Sequence, residues 1–377
     1  MQQLKIAVIL SILILFSACK TEKKELVIKE IQSSLKYAKG FDIQVFDNYK
    51  KLIIKSPYPD AKEHFEYLII PKESALPDSL NHYKIIRTPI EKIVVTSTTH
   101  IPMLELLEVS NSLVGFPNLK YISSKKTRAR ITENLITELG NEESINTEIL
   151  LSLQPEILIG FAMNSNNKMF STIEKSGIPV LLNGDWLEET PLGRAEWLKL
   201  FGVLFDKEKE ADSIFNTIEK QYQEAIVIAK NAKIKPTVLS GVLFKEVWNL
   251  PAGESFMAQF LKDAYTNYLW ADTKGKASLS LNFESVYEKG ENAKFWIAPG
   301  HYNSLDQLEN TNNHYTKFDA FKSKNIYSFT LKKGDTGGAL YYELAPTQPH
   351  IVLKDIIKIT HPELLPNYEP FYLQKLK

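Results

Sequence analysis

Between Asp206 and Lys235 the chain runs for more than twenty residues without an internal glycine or proline, and no other segment constrains its fold as strongly. Ala211, Ile214, Phe215, Ile218, Tyr222, Ala225, Ile226 and Ala229 recur at helical spacing on one face, with Lys and Glu elsewhere. A stiff amphipathic helix over 206–235 is expected. Its apolar stripe needs partners, and the flanking sequence supplies them in two similar halves.

The first half begins at Pro89. Lys92-Ile93-Val94-Val95, Leu113-Val114-Gly115-Phe116, Glu156-Ile157-Leu158-Ile159-Gly160-Phe161 and Pro179-Val180-Leu181-Leu182 read as buried strands. Helical stretches alternate with them: one after Thr99 through Val109, one over Ser144 to Leu153, and one over Phe170 to Ser176. After Pro236 the rhythm resumes with strands at Thr237-Val238-Leu239-Ser240, Phe295-Trp296-Ile297-Ala298 and Ile326-Tyr327-Ser328-Phe329. Helices are expected over Ser255 to Ala264, Phe283 to Lys289 and Pro349 to Thr360. Alternation at this spacing means parallel sheets with crossover helices. The expected architecture is α/β: two Rossmann-like lobes, 89–205 and 236–377, joined by one long rigid helix. Residues 35–88 carry short strands with period-2 alternation, including Phe41 to Val45, Lys51 to Ile54 and Tyr67 to Ile70. They read as a small antiparallel extension.

Residues 1–19 have another character. Lys5 precedes an apolar run from Ile6 to Phe16, and Ser17-Ala18-Cys19 adds small residues and the chain's one cysteine. The run is too short to span a bilayer and reads as a secretory signal, with Cys19 the expected acylation site of a lipoprotein. The Lys- and Glu-rich residues 20–34 then form a tether. No further run of eighteen apolar residues follows. With Cys19 acylated, no disulfide can form and the fold rests on its core. Lys+Arg and Asp+Glu are both 45, so no strong field selects nucleic acid as a partner.

An enzyme finds little support. No Gly-x-Gly-x-x-Gly follows a strand, no phosphate-binding loop appears, and Gly253-Glu254-Ser255-Phe256-Met257 lacks the second glycine of a nucleophile elbow. The seven histidines show no His-x-x-x-His pair, so neither a bare-metal site nor a resident cofactor is expected.

Several runs carry a family pattern. Ile93-Val94-Val95-Thr96-Ser97-Thr98-Thr99 is a strand opening into Ser/Thr. Asn146-Thr147-Glu148-Ile149-Leu150-Leu151-Ser152-Leu153-Gln154-Pro155-Glu156 precedes a second strand, and Ser176-Gly177-Ile178-Pro179-Val180 turns into a third. In the second half, Gly253-Glu254-Ser255-Phe256 and Leu281-Asn282-Phe283-Glu284-Ser285-Val286-Tyr287 repeat the theme. Together, roughly residues 89 to 365 resemble the periplasmic binding proteins of ABC importers that capture ferric siderophores, haem and cobalamin. Departures are Leu107-Glu108-Val109 and Asn292-Ala293-Lys294, where the family tends to have Ala-Leu-Gly and Pro-Asp. The resemblance implies that Glu148 and Glu284, one per lobe, dock into arginine pockets of the importer's permease subunits, whose partner ATPase hydrolyses ATP. It also implies a small-molecule ligand, a ferric siderophore first, with cobalamin and haem as alternatives. A sensor or scavenger lipoprotein on the same frame is the non-transport alternative. The expected location is the cell envelope, on the periplasmic side of either membrane or displayed at the surface.

Ligand contacts belong on loops at the carboxyl ends of the strands. In the first lobe these are Thr98, Thr99, His100, Phe116, Asn118, Tyr121, Phe161, Trp186 and Arg194. In the second they are Phe244, Trp248, His301, Tyr302, the run Gly334-Asp335-Thr336-Gly337-Gly338, Tyr341 and Tyr342. Aromatic rings suit flat ligand faces, and arginine suits anionic oxygens around a ferric chelate. Arg194 stands out as the only arginine after residue 130.

Overall fold

A computed structural model describes residues 35–377, apart from 76–79, 81, 142–143 and 166. The signal segment, Cys19 and the tether lie outside the described residues.

The extension is a sheet of β1 (Phe41–Val45), β2 (Lys50–Ile54), β3 (Phe65–Pro71) and β4 (Lys84–Thr88), in that spatial order. The first three are antiparallel, but β3 and β4 run parallel, so the expected all-antiparallel arrangement is corrected. Alternation exposes which residues of a strand share a face. It carries no information on the direction of a neighbour reached through a long connection.

The first lobe follows with β5 (Ile93–Val95), α1 (His100–Leu106), β6 (Leu113–Phe116), α2 (Lys125–Thr132) and β7 (Thr137–Glu138). A small hairpin of β8 (Gly140–Asn141) and β9 (Ser144–Ile145) leads to α3 (Thr147–Leu153), β10 (Ile157–Gly160), α4 (Lys168–Lys175) and β11 (Val180–Leu182). Its sheet is parallel, in the order β11-β10-β5-β6-β7. Ile93, Val95, Ile157, Ile159 and Leu181 face a core shared with the extension, where Phe41, Leu52, Ile54 and Tyr67 pack. Val94, Leu158 and Val180 face the opposite core with Leu150, Phe170 and Ile173. Burial on both faces is why these strands read as unbroken apolar runs.

Two short helices, α5 (Pro191–Glu196) and α6 (Leu198–Leu204), lead into α7 (Glu208–Ala229). At about 1.5 Å per residue, its 22 residues span roughly 33 Å. Ala211, Phe215, Ile218, Tyr222, Ala225 and Ala229 form its buried face. The start of α7 packs on α6, and Tyr222 Oη donates to Asp263 of the second lobe at 2.7 Å.

That lobe contains β12 (Thr237–Ser240), β13 (Val242–Phe244), β14 (Val247–Pro251), α8 (Phe256–Asp263), β15 (Asn267–Tyr268), β16 (Ser278–Leu281), α9 (Phe283–Gly290) and β17 (Phe295–Ile297). It ends with α10 (Leu305–Thr311), α11 (Asp319–Lys322), β18 (Ile326–Ser328), α12 (Leu340–Leu344), α13 (Pro349–Thr360) and β19 (Gln374–Lys375). The main sheet runs β15-β12-β17-β18-β19, parallel except for β19, and β13-β14-β16 form a separate antiparallel sheet. Among the described residues no helix is long and apolar enough to cross a membrane.

A strap at the start of the described chain joins these parts. The Glu196 carboxylate, fully buried, accepts from the backbone amides of Lys36, Tyr37 and Ala38 at 2.7–3.1 Å and pairs with Lys199 at 3.1 Å. Glu188 accepts from Lys39 N at 3.0 Å, Gly40 N at 2.8 Å and Trp197 Nε1 at 2.9 Å. Gly40 is needed because a Cβ there would sit 2.8 Å from the Trp197 ring. Tyr37 Oη also donates to Glu219 at mid-length of α7, at 2.7 Å. Truncating a buried carboxylate strands every donor aimed at it. Glu196→Ala is therefore expected to lower unfolding free energy by about 3–5 kcal/mol, read from urea denaturation. A loss under about 1 kcal/mol would show that the strap is dispensable.

Candidate functional site

The order of strands locates the site. In the first sheet the winding direction reverses beside β5, and in the second it reverses beside β12. Open α/β sheets bind ligands outside the carboxyl ends of strands at such reversals. Thr96 directly follows β5 and is 2% exposed, and Ser240 ends β12 and is 1% exposed. Neither hydroxyl has a hydrogen-bond partner among the described residues. Buried polar groups without partners cost roughly 1–3 kcal/mol each, so a cluster of them marks a place where a ligand or water completes the pairing.

More such groups gather after β11. Among the described residues Asn183 Nδ2, Asp185 Oδ2 and Trp186 Nε1 all lack partners, as does Nε of Arg194 on α5. Asn183 Oδ1 accepts from the Asp185 backbone amide at 2.8 Å, fixing the turn that buries both side chains. Arg194 lies between the lobes. Its guanidinium sits 5.4 Å from the centroid of the Phe256 ring, at the start of α8, and its charge is felt by His100 of the first lobe and Tyr341 of the second. Residues of both halves therefore converge on one arginine.

His100 is wholly buried, its ring 5.7 Å from Phe201, with neither ring nitrogen partnered among the described residues. Burial lowers its pKa from 6.5 to about 4, with the Asp185 charge opposing and the Arg194 charge assisting. It is a neutral ring at physiological pH. Thr99 Oγ1 is engaged with Ser97 Oγ at 2.9 Å, while Thr98 and Phe161 are half-buried.

In the second lobe Tyr341 stacks on Phe329 at 4.2 Å and meets Tyr342 edge-on at 5.5 Å. Tyr342 is exposed, and the His301 ring lies 6.3 Å from it. Tyr302 is half-buried, and Phe244 is exposed at the hairpin between β13 and β14. The Gly334–Gly338 loop lies against Tyr121 and Ser123 of the first lobe. Tyr121 itself is exposed, and Asn118 uses a left-handed conformation (φ 55°) to start the turn before it.

Two expected ligand residues are corrected. Trp248 is fully buried, stacked on Trp296 at 5.4 Å with Nε1 donating to Ser240 O. Phe116 is fully buried in the first-lobe core. Sequence reading missed Thr96, Asn183, Asp185, Ser240 and Phe256. Apart from Phe256, each lies at or just beyond a strand's carboxyl end, the same signal that selected Trp186.

Glu148 and Glu284 occupy equivalent places. Each is exposed in the first turn of a helix, α3 or α9, capped by an asparagine. Asn146 Oδ1 accepts from Ile149 N at 3.0 Å and Asn282 Oδ1 accepts from Ser285 N at 2.8 Å. Among the described residues no group of three His, Cys, Asp or Glu side chains could hold a metal ion.

Two α/β lobes on a helical bridge, with polar side chains left open between them, define a binding protein. The chain belongs to the periplasmic binding protein family, whose sequence pattern matches residues 93–331. It is similar to an uncharacterised lipoprotein of Methanocaldococcus jannaschii, 24% identical over 361 residues that cover 89% of this chain and 83% of the relative. Among solved structures it is similar to a possible iron-binding, periplasmic solute-binding protein of Staphylococcus epidermidis. That match has a TM-score of 0.57 and 16% identity, covering 73% of this chain and 100% of the other. It is also similar to an ABC-type Fe3+-hydroxamate transport system protein of Saccharomonospora viridis, with a TM-score of 0.52, 15% identity, and coverage of 72% and 94%.

His100 makes folding pH-dependent. Unfolded, it takes up a proton below pH 6.5, whereas the folded pKa of about 4 delays that uptake. Its contribution is intact above pH 6.5 and is lost as pH falls through 4, by about 3 kcal/mol in all. Chemical denaturation at pH 7 and pH 4 should show His100→Phe losing about 3 kcal/mol less than wild type. Parallel losses in the two proteins would refute this role.

Proposed function

We propose that this protein is the lipid-anchored substrate-binding component of an ABC importer, capturing a ferric siderophore between its lobes. One observation carries the reading: Arg194 stands between the lobes amid buried polar groups, its own Nε included, that have no partner among the described residues. An anionic chelate would supply acceptors to Arg194, Trp186 and Asn183 and a polar edge to Thr96 and Ser240, while Phe256, Tyr341 and Tyr342 cover its flatter faces. Similarity to a possible iron-binding protein and to an Fe3+-hydroxamate transport system protein supports a ferric chelate as the class.

In this reading residues 1–19 are the signal, Cys19 carries the lipid, and residues 20–34 are the tether in the envelope. Glu148 and Glu284, rigidly capped and exposed, meet cationic pockets on the permease subunits, one lobe each. The extension, 35–88, buttresses the first lobe. The permease's ATPase partner, not this chain, supplies the energy.

The test is intrinsic fluorescence of residues 20–377 titrated with ferric hydroxamate and catecholate chelates, cobalamin and haem. Trp186 should report occupancy as saturable quenching by a ferric chelate, and Arg194→Ala should weaken that binding at least about tenfold. Saturation by cobalamin or haem alone would reassign the ligand. Silence with all of them in folded protein would defeat the binding reading. Charge reversal at Glu148 and Glu284 together should abolish importer-dependent uptake and leave ligand affinity intact, and undiminished uptake would remove the docking role.

A further inference from the structure

Glu343 lies on the second lobe, in α12, yet its carboxylate is spent on the first. It is 2% exposed and accepts from the backbone amides of Ser123 at 2.6 Å and Ser124 at 2.8 Å. These two residues open α2, with Ser124 as its N-cap. The carboxylate thus caps a helix more than two hundred residues away in sequence, where the helix dipole favours negative charge. Glu105 of α1 holds the same turn from the other side, accepting from Ser124 Oγ and from Thr127 Oγ1 at 2.7 Å.

Beside this contact the glycine loop presses on the same segment. A Cβ at Gly334 would stand 2.7 Å from Ser123 Cβ, and one at Gly338 would stand 3.0 Å from Ser123 Oγ. The loop closes on itself through Gly334 N donating to Gly338 O at 2.8 Å. Only residues without side chains allow the lobes to approach this closely. Tyr341, which feels the charge of Arg194, is on the same short helix as Glu343.

We propose that Glu343 and the Gly334–Gly338 loop form a clasp that holds the two lobes closed, and that its opening sets release from the interlobe cleft. The link to release rests on the binding reading above, but the clasp itself does not. Opening exposes Ser123 N, Ser124 N and the carboxylate to water together, and it withdraws Tyr341 from Arg194.

The test needs no ligand. The soluble form, residues 20–377, has no native cysteine, so spin labels can be placed by Glu133→Cys and Glu309→Cys. The wild-type protein should show one dominant distance population between them, and Glu343→Ala should add a longer one. Gly334→Ala, which leaves the carboxylate in place, should lengthen the distance through steric contact alone. Exchange of the Ser123 and Ser124 amides should quicken at least about tenfold in Glu343→Ala. Wild-type distances in both variants would overturn the clasp. If circular dichroism finds Glu343→Ala unfolded, Gly334→Ala alone decides. A clasp that opens as described in a protein that binds no chelate would leave this inference standing while the ligand reading fell.

Discussion

Everything between the lobes depends on the span of α7. Its 22 residues contain no glycine or proline, so nothing in it can kink to absorb a large hinge motion. One end packs against α6 of the first lobe and the other against α13 of the second. The buried face joins the cores of both lobes: Ala211 belongs to the first, Phe215 to Ala229 to the second. A strut fixed at both ends permits small rocking, not wide closure. The polar groups of the cleft must then be held ready before any ligand arrives.

Readiness has a thermodynamic cost, and the chain meets it with an unusual resource. It has only four arginines, so few of its carboxylates can find a guanidinium. Its buried carboxylates turn to backbone amides. Glu196 and Glu188 gather those of residues 36–40, Glu343 those of Ser123 and Ser124, and Asp355 those of Phe371, Tyr372 and Leu373. Each ties segments distant in the chain, which a protein without disulfides needs. Hydrogen bonds to charged acceptors contribute roughly 1.5–3 kcal/mol, so these junctions help offset the unpartnered groups at Thr96, His100, Asp185 and Ser240.

The frame was readable because β-strands in parallel sheets are buried on both faces. Ile93 to Val95, Ile157 to Gly160 and Val238 to Leu239 are therefore apolar runs, with Thr96 and Ser240 closing the first and the last at the carboxyl end. The site was less readable. Trp248 was placed in the cleft as an aromatic beyond a strand, yet β14 alternates, burying Trp248 and Leu250 while Val247 is exposed and Asn249 half-buried. That pattern already pointed the indole inward. Asp185 and Asn183 were overlooked because short polar residues after a strand usually mean a turn. They do form one, and only burial distinguishes these side chains from solvated turn residues. Glu343 was beyond sequence reading altogether. Its partners are the amides of Ser123 and Ser124, and amides carry no sequence signature.

Arg194 connects these threads. A lysine in its place would seek water, since its compact ammonium is strongly hydrated and its stem is mobile. The guanidinium instead lies near the Phe256 ring from one lobe while α5 carries it from the other, which keeps its plane fixed and partly dry. His100 beside it stays neutral, so it adds no positive charge and can offer either a donor or an acceptor. At His100 the charge of Asp185, from the same lobe, works against that of Arg194. A fixed cation, a neutral ring and a carboxylate therefore share one dry interface between the lobes.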